Sequence, residues 1–311
     1  MSAKIALCTL YEGDYHYGVA ALANSLHAAG FMGNLWVGTR GERPPWMLPG
    51  SKDLLELDGG MRLEFVDIDT LYHFSHYKPW WIRRVLEDLD SSAQTAAYID
   101  PDIVVKAPWQ FFEDWTSWGI SLVGDFFEAI PHNHLFRHHW RRLCAERGWS
   151  LAREDDRYYN CGFVGVPRTV SGFLGVWADL LEALPSLGLP IDQLLPTDAL
   201  HPFRFTDQDL LNACLECGTW PMATLPPSAM DLRGQVGDVM CHMTPGAKPW
   251  RTGYFLGPKR WRERSHAGRQ YWSFVDGPIR PYARGERLVR TLDQKAAAVL
   301  GRVYSVPGWK P

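Results

Sequence analysis

The spacing of apolar residues along the first hundred positions changes several times, and each change predicts a different element. The almost wholly apolar run at 4–10 predicts a buried strand. The segment 18–30 carries apolar side chains at helical spacing and ends at Gly30, which predicts a helix. Short apolar runs at 35–37 and 63–66 predict strands on either side of a loop rich in proline and glycine.

The middle of the chain continues this alternation. Helical spacing between 82 and 89 precedes an apolar run that ends in acidic residues near position 100. Strands alternating with helices predict an α/β fold built on one open sheet, in which ligands bind at the carboxyl ends of the strands. Further strands are predicted at 119–123 and 163–166, and further helices at 134–146, 172–183 and 207–216.

Composition agrees with a globular protein and gives the first expectation about its compartment. The 311 residues are 46% hydrophobic and 22% charged, which suits one large domain or two small ones. No apolar run is long enough for a transmembrane helix, and the first one is too short for a secretory signal. Six scattered cysteines do not suggest a disulfide scaffold. We therefore expect a cytoplasmic protein, either free or peripheral to the inner face of the membrane.

Charge is distributed unevenly and suggests how the chain is divided. The segment 251–311 holds 13 basic and 4 acidic residues, whereas the rest holds 19 and 31. We predict a main domain over 1–255 and a basic C-terminal extension over 256–311. The extension either packs on the acidic domain or contacts an acceptor or an anionic membrane surface. The sequence leaves these alternatives open.

The apolar run before position 100 ends in Asp100, Pro101 and Asp102. In an extended strand, residues i and i+2 lie on one face about 6–7 Å apart, so both carboxylates can reach one divalent cation. Hard cations such as Mg²⁺ and Mn²⁺ favour oxygen ligands and commonly join a carboxylate to substrate phosphates. An ordinary turn after a strand explains the same three residues.

Three later segments add to this motif and change its interpretation. The four together, in this order, resemble the retaining GT-A glycosyltransferases of glycosyltransferase family 8, the glycogenin and bacterial lipopolysaccharide galactosyltransferase type. The resemblance covers about residues 4–252. The segments are Asp100-Pro101-Asp102, the stretch 159–166 (YNCGFVGV), the stretch 206–212 (TDQDLLN) and the stretch 242–250 (HMTPGAKPW).

The resemblance implies a GT-A fold, with a single Rossmann-like, open, mixed and mostly parallel sheet flanked by helices. It also implies a metal-dependent retaining hexosyltransferase. The donor would be a nucleotide diphosphate sugar, such as UDP-glucose or UDP-galactose, and the acceptor a glycan, a lipid-linked molecule or a small molecule, with no nucleic acid involved. Two other functions stay open: a catalytically silent nucleotide-sugar-binding protein, and a glycoside hydrolase that uses two carboxylates.

A metal and diphosphate site follows from the first and last segments. By the resemblance, Asp100, Asp102 and His242 hold Mn²⁺ or Mg²⁺, and the imidazole slightly favours Mn²⁺. Lys248 supplies a point charge for phosphate, and Gly246 lets the backbone approach the diphosphate. The chain departs from the commoner His-Tyr-x-Gly-Pro order here, because proline precedes glycine.

The third segment carries the proposed catalytic residues. The resemblance places Asp207, Gln208 and Asp209 beneath the donor sugar, with the acidic residues holding its hydroxyls. Because an amide is a poor nucleophile, we expect same-face substitution in which Gln208 stabilises the oxocarbenium-like centre. A capping box formed by Thr206 and Asp209 at the start of a helix is the structural alternative.

Other candidates share an expected contact with the nucleotide or the sugar of the donor. Asn160 and Gly162 match a sugar-binding turn of the family, although a turn that starts a strand would also use them. Tyr15 would stack on the base or pack at a helix start. The complete set of donor-binding candidates outside the last segment is Leu10, Tyr11, Tyr15, Lys78, Asp125, Asn160 and Gly162.

Overall fold

A computed structural model describes residues 5–47, 53–125, 130–194, 201–234, 236–244, 247–254 and 265–303. The strands are β1 (Ile5–Glu12), β2 (Asn34–Arg40), β3 (Leu54–Glu56), β4 (Arg62–Asp67), β5 (Thr95–Ile99), β6 (Ile103–Val105), β7 (Ile120–Gly124), β8 (Tyr159–Pro167), β9 (Met222–Leu225) and β10 (Met240–His242). The helices are α1 (His16–Ala28), α2 (Phe74–Arg84), α3 (Trp109–Thr116), α4 (Leu135–Glu146), α5 (Gly172–Glu182), α6 (Thr206–Glu216), α7 (His266–Ser273) and α8 (Arg284–Val303).

Eight strands form one mixed sheet in the order β3-β4-β2-β1-β5-β8-β7-β9. The pairs β1 with β2, β1 with β5, β2 with β4 and β7 with β9 are parallel. Strand β8 runs antiparallel to both of its neighbours, and β3 runs antiparallel to β4. The predicted open α/β sheet is confirmed.

Helices cover both faces of this sheet, as the period-2 pattern of a buried strand requires. In β1, Cys8 belongs to the apolar cluster beneath α2, α4, α5 and α6, whereas Leu7 belongs to the cluster beneath α1 and α3. The first cluster includes the fully buried rings of Trp81, Trp140 and Trp177. These three tryptophans therefore pack in the core and are not available as sugar platforms.

A second, two-stranded sheet lies beyond the carboxyl end of β5. Strand β10 pairs with β6 in antiparallel register, with His242 opposite Ile103. A hydrogen bond of 2.9 Å from the Met243 amide to the Asp102 carbonyl extends the ladder. This register places His242 beside the turn that joins β5 to β6.

Residues 271–282, from the C-terminal part, pack on α1. Asn24 is buried in α1, and its side chain makes hydrogen bonds of 2.6–2.9 Å with the backbone of Phe274 and Ile279. Trp272 and Tyr282 stack on each other and belong to a third apolar cluster. Within the described ranges, no helix is both long and apolar enough to cross a membrane. All six cysteines are free thiols.

Candidate metal and nucleotide-sugar site

A cavity of about 370 Å³ opens at the carboxyl ends of β1 and β5, where the α/β fold is expected to bind ligands. It is bordered by the start of β8, the start of α6 and the end of β10. Most of the predicted site residues therefore meet in one place, although they come from distant parts of the chain.

The two aspartates lie in the turn between β5 and β6 rather than in an extended strand. The turn nevertheless brings both carboxylates to the same histidine. His242 Nε2 lies 3.6 Å from one oxygen of Asp100 and 3.4 Å from one oxygen of Asp102. The turn of the alternative interpretation is therefore present, and the two carboxylates approach one point without sharing a strand face.

These three residues fit a divalent cation. Their ligand atoms lie within 4.8 Å of one another, and two carboxylates with one imidazole form a donor set that Mn²⁺ accepts. The space between them is kept open by Gly162, where a Cβ atom would lie 2.7 Å from the His242 ring and 3.0 Å from Asp100.

Lys248 holds the other side of Asp102. Its ammonium pairs with the second oxygen of that carboxylate and donates to the Met243 carbonyl at 3.1 Å. Burial alone would raise the pKa of Asp102, but His242 and Lys248 outweigh burial and lower it well below its usual range. The carboxylate therefore stays ionised.

Lys78 lies inside α2, and its side chain is only 1% exposed. Its ammonium lies 3.1 Å from Asp100 and 3.6 Å from Asp207, and it donates to the Cys161 carbonyl at 3.0 Å. Although burial opposes its charge, these partners raise the pKa of Lys78. Lys78 thus connects the acidic turn to the start of α6.

The start of α6 divides the three predicted catalytic residues between two environments. Asp207 and Gln208 line the cavity. Asp209 lies outside it, because its carboxylate accepts hydrogen bonds from the Tyr158 hydroxyl at 2.5 Å and from the Phe205 amide at 2.9 Å. The predicted capping box is also absent: Thr206 is the first helical residue, and its hydroxyl donates to the Leu194 carbonyl.

Gln208 is held at both ends of its amide group. Its Nε2 donates to Asp125 at 3.1 Å, and its Oε1 accepts from the Cys161 amide at 3.2 Å. Asn160 donates to the same oxygen of Asp125 at 2.6 Å, and its own side-chain oxygen accepts from the Gly162 amide. Four predicted residues therefore form one hydrogen-bonded group.

The candidates expected to contact the nucleotide also line the cavity. Leu10 and Tyr11 lie near the end of β1, and Tyr15 follows in the next turn. The Tyr15 ring packs edge-on against Trp250, with ring centroids 5.4 Å apart, and the Arg251 guanidinium lies 5.2 Å from its centre. The other predicted residue of this loop, Gly246, lies outside the described residues.

Sequence reasoning missed two residues that contact this group. The Tyr98 hydroxyl donates to Asp100 at 2.9 Å, and the Cys161 thiol donates to Asp207 at 2.9 Å. Tyr98 lies two positions before Asp100, on the same face of the chain, so strand periodicity could have indicated it. Cys161 lies between Asn160 and Gly162 and could have been included as part of their turn.

Structural comparison relates the chain to solved structures. The apo structure of the bifunctional glycosyltransferase WbbM aligns with 95% of this chain, with a TM-score of 0.52 and 12% sequence identity. The present chain spans about half, 52%, of the WbbM chain. An active-site mutant of LgtC aligns over 87% of this chain and 95% of its own, with a TM-score of 0.48 and 13% identity.

No family model and no curated protein sequence matches the chain. The similarity to WbbM therefore concerns the fold. Together with the mixed sheet and its flanking helices, it shows a GT-A-like fold.

Proposed function

We propose that this protein is a metal-dependent retaining glycosyltransferase that moves a hexose from a nucleotide diphosphate sugar, with uridine as the base. The observation that carries the proposal is the arrangement of the cavity. Asp100, Asp102 and His242 converge at one side, and Asp207 and Gln208 face the same space from α6. Transfer needs both parts, one for the diphosphate and one for the sugar.

The first part assists departure of the diphosphate. Mn²⁺ or Mg²⁺ on Asp100, Asp102 and His242 would supply a positive charge to the leaving group without proton transfer. Lys248 is paired with Asp102 and lies next to that position. Its ammonium would bind a phosphate oxygen and so contribute charge stabilisation in the leaving group.

The second part acts on the sugar. The amide of Gln208 is fixed by Asp125 and by the Cys161 amide, so its orientation is set before the donor binds. A preorganised dipole stabilises charge that develops in the transition state without a cost of reorientation. Asp207 would hold a sugar hydroxyl, and the acceptor would attack from the face that the diphosphate leaves.

The test is incubation with Mn²⁺ and a panel of nucleotide sugars while nucleotide release is measured. Slow release from one donor that stops on chelation supports a transferase. Binding without turnover across a panel of acceptors would support a nucleotide-sugar-binding protein. Cleavage of aryl glycosides without nucleotide would support a hydrolase.

The role of Gln208 has its own test. Gln208→Ala should lower kcat about a hundredfold and change the KM for the donor little, since the amide is expected to act mainly in the transition state. Gln110→Ala, on an exposed position of α3, is the control. An equal loss in donor binding and in kcat would make Gln208 a binding residue only.

We also propose that the basic C-terminal part contacts an anionic membrane surface. On α8, Leu288, Leu292 and Val299 are each more than half exposed, and exposed Lys295 lies between them at helical spacing. An apolar stripe on a helix from the strongly basic segment is typical of helices that lie in a lipid interface. Anionic lipid is favoured over a second copy of the chain because of this charge.

A further inference from the structure

The thiol of Cys161 is the group nearest to Asp207 that the proposed mechanism does not use. Cys161 is 6% exposed and lines the cavity. Its sulfur lies 2.9 Å from Asp207 Oδ2 and 3.4 Å from the Lys78 ammonium. These two neighbours determine the direction of its hydrogen bonds.

Lysine can only donate, and an ionised carboxylate can only accept. The Cys161 sulfur must therefore accept from Lys78 and direct its own proton to Asp207. Burial is the largest cause of a strongly raised pKa of the thiol, and Asp207 adds to it. Cys161 stays protonated and serves as a donor, not as a nucleophile.

The consequence concerns the two oxygens of Asp207. Oδ2 accepts the thiol proton and lies 3.6 Å from Lys78. Oδ1 makes no hydrogen bond within the part of the chain that the structure describes. A carboxylate with one oxygen fixed in this way has a set rotamer and offers the other oxygen to a ligand.

We propose that Cys161 is a positioning residue for sugar recognition, whose thiol holds Asp207 so that Oδ1 accepts a hydroxyl of the donor sugar. The inference rests on the proposed function. It assigns the contact to the sugar and not to the nucleotide, because Asp207 lies in the first turn of α6 whereas the metal ligands lie in the β5–β6 turn and β10.

The control comes from the same chain. Cys214 is also a buried thiol, but it lies in α6 outside the cavity, and its sulfur contacts the Phe173 carbonyl at 3.5 Å. Cys214→Ala therefore removes a thiol of similar burial without touching Asp207. Cys161→Ser keeps a donor at the proposed position, and Cys161→Ala removes it.

The experiment measures donor kcat and KM with Mn²⁺ for these variants, together with calorimetric titration of UDP. For Cys161→Ala we expect the donor KM to rise about tenfold to a hundredfold, the range for losing a hydrogen bond to a charged group. The kcat and the affinity for UDP should change less than about threefold. Cys161→Ser should restore the KM to within about threefold, and Cys214→Ala should resemble the wild type.

An unchanged donor KM in Cys161→Ala would overturn the inference, and so would a Cys161→Ser variant as impaired as the alanine. An equal loss of UDP affinity would also overturn it, since the thiol would then support the whole site. If Cys161→Ala fails to fold, the serine variant decides, with an increase in KM beyond tenfold as the contradicting result. A wild-type protein that turns over no donor would instead overturn the proposed function itself.

Discussion

Gly162 shows how strictly a single residue limits the site. A Cβ atom at this position would lie 2.7 Å from the His242 ring, 2.8 Å from the Asn160 side-chain oxygen and 3.0 Å from Asp100. These contacts involve metal candidates from the β5–β6 turn and from β10 at once. The glycine is therefore needed for space, and its backbone is not in the left-handed region.

Gly162→Ala should weaken Mn²⁺ binding at least tenfold, because the methyl group displaces His242 or Asp100 from the other ligands. Titration of Mn²⁺ followed by electron paramagnetic resonance measures this affinity. Gly172→Ala at the start of α5 is the matched control, since a Cβ atom there meets nothing within 4 Å. Wild-type affinity in Gly162→Ala would contradict the assigned ligand set.

Among single residues, the sequence predicts those that belong to a local motif. By the resemblance, Asp100, Asp102 and His242 are expected as metal ligands, and the structure brings their side chains together. The link through Lys78 could not be predicted, because it depends on α2 packing over the turn and over α6. No local spacing encodes such a contact between distant segments.

At the scale of elements, apolar periodicity predicted the main strands of the sheet and the helices α1, α4, α5 and α6, but it did not predict α3, α7 or the 20-residue α8. It failed for β6 and β10, which have three residues each and no measurable alternation. Their pairing nevertheless positions His242. Asp209 could have been placed by geometry: a helix turns about 100° per residue, so Asp207 and Asp209 point to nearly opposite sides.

The buried position of Asp209 in α6 predicts a pH dependence of stability. Burial raises its pKa from 3.8 to about 7, although Tyr158 and the Phe205 amide donate to it. The folded state therefore holds a proton that the unfolded state releases above pH about 4. By linkage, this group makes the free energy of unfolding fall as pH rises toward 7.

Asp209→Asn should remove this pH-dependent loss of stability, because asparagine does not titrate. Relative to the wild type, the variant should gain roughly 2 to 3 kcal/mol between pH 5 and pH 7.5, as measured by urea unfolding. Because the two proteins share all other titratable groups, the difference between their free energies of unfolding isolates the contribution of Asp209. Because Asp209 does not line the cavity, donor KM at pH 6 should stay within about threefold. A constant difference in stability across this pH range would contradict the raised pKa.

At the scale of the whole molecule, the sequence predicted an acidic main part and a basic C-terminal part. The structure shows that α7 and the residues up to Tyr282 pack on α1 through Asn24 and an aromatic cluster. The apolar stripe of α8 stays exposed. Charge and exposure together define the surface that we propose for membrane contact.

Wild-type protein should therefore sediment with phosphatidylglycerol vesicles but not with phosphatidylcholine vesicles, and 0.5 M salt should weaken binding. Leu292→Asp should reduce binding about tenfold, because it places a negative charge in the stripe. Met32→Asp changes a residue that is 77% exposed elsewhere and should have no effect. A concentration-dependent dimer that Leu292→Asp disrupts would instead favour a second copy as the partner.

Calorimetric titration of UDP with and without Mn²⁺, for the wild type and Asp102→Ala, tests the central claim most directly. Asp102 lies between His242 and Lys248, so its loss should disable the side of the cavity that is expected to hold metal and diphosphate. We predict that Mn²⁺ tightens UDP binding at least tenfold in the wild type and has no effect in Asp102→Ala. Equal UDP affinity with Mn²⁺ and with a chelator, or an undiminished Mn²⁺ effect in the variant, would contradict the account.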